Sequence, residues 1–205
     1  MKVLLLNGSP RLHGNTSVAL ERMEDVFAEE GIESEEVRVG TKDVRGCIAC
    51  HRCTELGKCI FDDIVNEIAP KFEESAGLVV ASPVYYASAN ATLEALLQRL
   101  FYSIHFDPSM KVGAAVAVAR RAGTISTFDQ LNKFFSISSM PIATSTYWND
   151  LFGSAPGEVQ QDTEGIGVVC NLAHNMAFLM KSIELGTKEF GAPKHERYDR
   201  RNFIA

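Results

Sequence analysis

Apolar residues along this chain fall into two kinds of run that alternate with each other. Val3-Leu4-Leu5-Leu6 and residues 77–81 and 112–118 are apolar at every position rather than every second one, the pattern of strands covered on both faces, as in a parallel sheet. Between them the apolar residues recur at helical spacing. Residues 16–30 set Leu20, Met23 and Phe27 on one face, with Val26 beside them and Glu21, Glu24, Glu29 and Glu30 outside; Gly31 supplies the stop. Asp62 or Asp63 caps a helix carrying Ile64, Ile68 and Phe72, in which Pro70 predicts a kink or interruption. Asn90 caps a segment with Leu93, Leu96, Leu97 and Leu100, and residues 125–136 align Ile125, Phe128, Leu131 and Phe135. Residues 166–185 place Leu172, Met176, Leu179, Met180 and Ile183 on a last helix ended by Gly186. Residues 32–39 read as a charged edge strand, residues 141–144 as a short fifth strand, and 145–164 as irregular. Five strands alternating with five helices predict a doubly wound α/β sheet with right-handed crossovers.

Composition narrows this further. With 205 residues and 46% hydrophobic content, the expectation is a single domain over residues 1–205. A net charge of −6 without a basic cluster in the body of the chain argues against nucleic acid as a partner. The N-terminal apolar run is too short for a signal peptide, and no stretch reads as membrane-spanning, so a cytoplasmic protein is expected. In that compartment the five cysteines are thiols, thiolates or metal ligands rather than disulfides. The tail, residues 191–205, carries Lys194, His195, Arg197, Arg200 and Arg201 but finishes Phe203-Ile204-Ala205; a solvated, frayed end is the plainer reading, and the apolar finish favours an arm packing on a neighbouring subunit.

The first chemistry-bearing stretch is Asn7-Gly8-Ser9-Pro10-Arg11-Leu12-His13-Gly14-Asn15-Thr16, placed between the first strand and the first helix. Gly8 and Gly14 let backbone amides approach an anion, and the following helix points its unpaired N–H groups at it. Ser9, Asn15, Thr16 and Ser17 add short donors, and Arg11 adds a fork matched to phosphate oxygens. Five residues separate the two glycines and Asn15 stands where a P-loop lysine belongs, so a triphosphate is poorly served; G-x-G-x-x-G is absent too. A terminal monophosphate, as on flavin mononucleotide (FMN), fits best, against the plainer reading of an ordinary strand-to-helix turn.

A ligand on such a sheet lies beyond the carboxyl ends of the strands, where strand order reverses. The segment after the third strand, Ser82 to Asn90, should then line the ring: Pro83 stiffens it, Val84 lies within it, and Tyr85 and Tyr86 offer stacking surface. After the fourth strand, Arg120, Arg121 and Gly123 bring cations and amides towards the N1/C2 edge of a flavin, or else form a surface charge pair with carboxylates. Tyr147 and Trp148 form an aromatic cluster after the expected last strand.

Four of the five cysteines, Cys47, Cys50, Cys53 and Cys59, fall within thirteen residues as C-x2-C-x2-C-x5-C. The x2 spacings are those of a run that wraps a [4Fe–4S] cluster. Structural zinc, a redox-active dithiol and a metal-free substrate loop are the other readings. His51 reads as exposed rather than coordinating, and Cys170 as a small core hydrophobe.

Taken together, Gly8-Ser9-Pro10-Arg11 with Gly14-Asn15-Thr16, Ser82-Pro83-Val84-Tyr85, and the compact cysteine run followed by Asp62-Asp63 resemble the NAD(P)H-dependent FMN reductase superfamily, most closely its iron–sulfur flavoprotein branch. The resemblance implies a flavodoxin-like five-stranded parallel sheet of order 2-1-3-4-5, FMN held by the first two motifs, and a [4Fe–4S] cluster on the four cysteines. It also implies a homodimer or homotetramer. The leading expectation is electron exchange between FMN and cluster, with a ferredoxin-like carrier as donor and dioxygen, peroxide or another small oxidant as acceptor. A cluster-free reductase taking hydride from NAD(P)H is the alternative, and a zinc-binding sensor a third. No residue pair reads as a general acid and base.

Overall fold

The computed structural model describes residues 1–196. Its strands β1 (Lys2–Asn7), β2 (Glu33–Arg38), β3 (Gly77–Pro83), β4 (Val112–Ala119) and β5 (Asp150–Phe152) form one parallel sheet in the order β2-β1-β3-β4-β5. The continuous apolar runs follow from two-sided burial. Leu4, Leu6, Leu78, Val80 and Ala115 face one core, while Val3, Leu5, Val79, Ala81 and Val116 face the other. Helices α1 (Asn15–Glu29) and α6 (Thr163–Phe190) cover the second face; α3 (Ile64–Glu74), α4 (Ala91–Ser103) and α5 (Thr124–Ser136) cover the first. β2 is the partly exposed edge, where Glu35 pairs with Lys2 and Lys71.

Local chemistry sets the helix ends. Asp63 accepts from Val65 N–H at 3.1 Å and Asn90 from Leu93 N–H at 3.2 Å, as expected of side-chain N-caps. Gly31 stands past α1 with φ +71°. Pro70 does not interrupt α3: it lies on the exposed side, where solvent can take up the carbonyl it leaves unbonded. A turn of helix not foreseen from the pattern, α2 (Cys53–Leu56), sits inside the cysteine loop and ends at Gly57, φ +69°.

The fifth strand is displaced from its expected position. Around Ile142 there is only an isolated bridge to Gly113, with Gly113 N–H donating to Pro141 O and Ala143 N–H to Gly113 O at 2.8 Å each. Pro141 has no N–H for a ladder, and the chain then leaves the edge. It returns at Asp150–Phe152 beside Ala117–Ala119, and the Asn149 side chain bridges the gap by donating to Ala115 O at 3.1 Å. Residues 145–164 are therefore not simply irregular; they also hold a 3-10 turn, Glu158–Gln161.

α6 starts earlier and ends later than its pattern predicts. Asp162 caps it through Gly165 N–H at 2.9 Å. Nothing lies within 4 Å of a Cβ built on Gly186, so no turn is imposed there, and the helix runs on to Gly191, φ +80°. A mid-helix glycine costs only about 1 kcal/mol against alanine, too little to end a helix by itself. By length and composition α6 is the helix among the described residues that could cross a membrane; its apolar stripe packs on α1, β4 and β5. Of the expected C-terminal arm, residues 197–205, including Arg197, Arg200, Arg201 and Phe203-Ile204-Ala205, lie outside the described residues.

Candidate functional site

β1 delivers Asn7, fully buried, to the switch between β1 and β3. Asn7 Oδ1 accepts Ser9 N–H at 2.8 Å, which bends the chain, and Gly8 N–H donates to Ala81 O at 2.8 Å. Gly8 packs so closely on the helix below that a Cβ would lie 2.7 Å from Leu93 Cδ2. Ser9 Oγ accepts Arg11 N–H at 3.2 Å. α1 then begins behind Gly14 without a side-chain cap, whereas Asp63, Asn90 and Asp162 cap α3, α4 and α6. The first N–H groups of α1 are thus left for an anion.

A cavity of about 220 Å³ opens over this helix end. Ser9, Arg11, Asn15 and Thr16 form its floor, Pro83, Val84 and Tyr85 one wall, and Arg120, after β4, a second. Eight of the twelve residues expected to hold the cofactor therefore meet in one place. The other four do not line it. Ser17 is buried with its hydroxyl turned inward: it accepts from Asn7 Nδ2 at 3.2 Å and Arg38 Nη1 at 3.0 Å and donates to Leu12 O at 3.1 Å, tying the loop down from beneath. Tyr86 stands fully exposed at the apex of a turn closed by the Tyr85–Ser88 bridge, with φ +56°. Arg121 is exposed outside the cavity. Gly123 caps α5 at φ +90° and supports the wall from behind, where a Cβ would stand 2.9 Å from Val84 Cγ1.

Val118, Ala119, Gly153 and Ser154 complete the lining. The last two were hidden by the displaced fifth strand: they are the first residues after β5, just where a ligand loop belongs. Gly153 N–H donates to Ala119 O at 2.9 Å, and a Cβ there would meet Asn15 Nδ2 at 2.7 Å. The Glu158 carboxylate holds this loop by accepting the Ala155 and Ser154 N–H groups at 2.7 and 2.6 Å, bonds that pull its pKa below the ordinary glutamate value. Tyr147 and Trp148 pack edge to face, 5.1 Å between centroids, outside the cavity lining.

The cysteine loop leaves β2 and turns through positive φ at Ala49 (52°) and His51 (56°). Cys47, Cys50, Cys53 and Cys59 all line one small cavity of about 20 Å³ with Arg99 and Tyr102 of α4. His51 is exposed on its rim. Cys47 Sγ accepts Ala49 N–H at 3.4 Å, and Cys59 Sγ accepts Arg99 Nε–H and Nη2–H at 3.3 and 3.2 Å. N–H groups aimed at sulfur suit thiolate ligands. Among the described residues, no three of His, Cys, Asp and Glu stand close enough to hold one metal ion. Ligands of a [4Fe–4S] cluster bind separate irons and stand wider apart than ligands of one ion. Cys170, away from this loop, is partly buried against the core, and burial pushes its thiol pKa up. α4 spans the two cavities: its cap Asn90 ends the ring loop, and its last turns carry Arg99 and Tyr102 to the cysteines.

Residues 1–152 match the family model described as NADPH-dependent FMN reductase. An iron–sulfur flavoprotein of Methanocaldococcus jannaschii is 38% identical over 192 residues, which cover 90% of this chain and 100% of the relative. An iron–sulfur flavoprotein of Methanosarcina thermophila is 30% identical over 189 residues, 90% of this chain and 97% of that one. Among solved structures, RosB with bound 8-demethyl-8-formylriboflavin-5'-phosphate has a TM-score of 0.73 at 15% identity, covering 100% of this chain and 97% of that one. A flavodoxin from the domain Archaea has a TM-score of 0.57 at 12% identity, covering 90% and 99%. At these identities the two structures show the flavodoxin-like fold. By its sequence match and its strand order, this chain belongs to the NADPH-dependent FMN reductase family and is a flavin-dependent oxidoreductase.

Proposed function

We propose that this protein is an electron-transfer flavoprotein that binds FMN in the cavity over α1 and a [4Fe–4S] cluster on Cys47, Cys50, Cys53 and Cys59. The observation that carries the reading is the pairing of two sites: the uncapped end of α1 under a cavity lined by Ser9, Arg11, Asn15 and Thr16, and four cysteines lining a single cavity beside α4 with N–H groups aimed at two of their sulfurs. The names of the two relatives support it. When bound, the two groups supply the redox chemistry, with one electron at a time passing between them and one or two exchanged with an external partner. The chain's own residues position them. Asn15 and Thr16 N–H, Ser9 and Arg11 receive the phosphate, Pro83, Val84 and Tyr85 bound the ring, and Arg120 places a cation near its far edge.

A ferredoxin-like carrier or NAD(P)H is the proposed donor and a small oxidant the acceptor; the cytoplasm is the proposed compartment. The exposed Tyr86, Phe178 and Leu185 support assembly as a homodimer or homotetramer. A second reading, a cluster-free NAD(P)H-dependent FMN or quinone reductase, is favoured by the family description. Anaerobic purification with counts of FMN, iron and acid-labile sulfide decides. About one FMN with four iron and four sulfide per chain is expected; FMN with iron near background after reconstitution selects the second reading.

A further inference from the structure

Arg99, on α4, heads the fully buried side chains by volume and is 1% exposed. A buried cation is costly unless its N–H groups are engaged. Here Nη1 donates to Asp63 Oδ2 at 2.7 Å and to Arg45 O at 3.3 Å, and Nη2 to Asp63 Oδ1 at 2.9 Å. Nε and Nη2 point at Cys59 Sγ, 3.3 and 3.2 Å away. The Phe61 ring lies against the guanidinium, 5.0 Å from centroid to carbon. One side chain therefore joins the entry of the cysteine loop at Arg45, its last cysteine, and the cap of α3. Asn66 locks the same corner, accepting Cys59 N–H and donating to Cys59 O and Phe61 O at 3.0 Å each. Among the described residues, Cys59 is the one cysteine of the four whose sulfur receives hydrogen bonds from a cation.

Resting on the cluster reading, we propose that Arg99 is a positioning residue for the cluster: it fixes the Cys59 sulfur and draws charge from that iron–thiolate bond, so the cluster accepts its electron at a less negative potential. Hydrogen bonds and charges near cluster sulfurs set such potentials, and a buried cation hydrogen-bonded to the sulfur stabilises the added electron. Asp63 opposes this by neutralising part of the guanidinium charge. The two residues should therefore act with opposite sign.

The test is an EPR-monitored redox titration of the anaerobically prepared holoprotein, with iron, sulfide and FMN counted and the FMN midpoint read separately in the visible. Arg99→Gln should shift the cluster's one-electron equilibrium roughly tenfold towards the oxidised form, about 59 mV more negative. Arg99→Lys, which keeps the charge but not the fork, should fall between it and the parent protein. Asp63→Asn, which keeps the α3 cap, should move the midpoint the other way. The FMN midpoint should not move. Should Arg99→Gln fail to fold or hold iron, Arg99→Lys decides: a more negative midpoint at full iron supports the role. Full iron with an unmoved cluster midpoint in both Arg99 variants overturns it alone. A parent protein without iron and sulfide after reconstitution overturns the cluster reading and this role with it.

Discussion

Gly40 offers the sharpest test of how the phosphate loop is held. It follows β2, and a Cβ built there would stand 2.5 Å from both Gly8 O and Pro10 N, and closer still to the Ser9 carbonyl carbon. Ordinary contact begins at 3.4 Å, so Gly40→Ala drives a methyl nearly an ångström into backbone that no rotamer change can clear. All three atoms belong to the loop that carries Ser9 and leads to Arg11. Overpacking of this kind costs about 1–3 kcal/mol, and the restricted unfolded chain returns only about 0.4–1 kcal/mol. The net loss is about 1.3 kcal/mol at the middle of these ranges, and up to about 2.6 kcal/mol, if the fold absorbs it. If the loop moves instead, FMN affinity falls roughly tenfold for each 1.4 kcal/mol. Urea unfolding of the apoprotein and FMN titration by fluorescence quenching measure the two routes separately. Gly186→Ala is the control: within α6 and with nothing inside 4 Å, it should stabilise by about 0.5–1 kcal/mol and leave FMN affinity alone. A Gly40→Ala protein with the parent's unfolding midpoint and the parent's FMN affinity would refute the packing argument.

Other outcomes follow from single residues. Asn90→Ala removes the α4 cap and should cost about 1 kcal/mol, read as a lower urea midpoint at unchanged m. Leu93→Ala, beneath Gly8 and fully buried, should cost about 2–5 kcal/mol and weaken FMN binding as well, since the loop loses its floor. Glu158 has a folded pKa below its ordinary 4.5, so its hold on the 153–158 loop is complete above that value and is lost as pH falls through the lower one. FMN affinity should therefore fall faster with acid, below about pH 4.5, in the parent than in Glu158→Gln; parallel pH profiles would rule that out. Cys170, partly buried and with its thiol pKa raised, should react with iodoacetamide more slowly at neutral pH than the exposed Cys50 of the metal-free protein, as peptide mapping would show.

Two-sided burial is why β1, β3 and β4 could be read directly from runs without alternation; the Asn90 cap was equally legible because a cap is a local bond, and the α3 cap was narrowed to Asp62 or Asp63, of which the fold uses Asp63. The fifth strand was not. Its three residues, Asp150, Leu151 and Phe152, are too few to carry a period, and the edge is broken by an excursion that the Asn149 side chain bridges, a tertiary contact with no local signature. That error concealed Gly153 and Ser154, which line the site beside Val118 and Ala119. Ser17 misled because a hydroxyl next to a phosphate loop is visible in sequence, while the inward turn that gives it to Asn7, Arg38 and Leu12 is not. Arg99 was passed over because its position among the leucines of α4 gives no hint that it reaches the cysteine loop.

The central claim is that the cavity over α1 is built around a terminal phosphate. Titrating the apoprotein with FMN and with riboflavin, which lacks that phosphate, tests it directly. Two hydrogen bonds to a charged group are together worth about 3 kcal/mol or more, so riboflavin should bind at least about a hundredfold more weakly than FMN. Equal affinity for the two would contradict the claim.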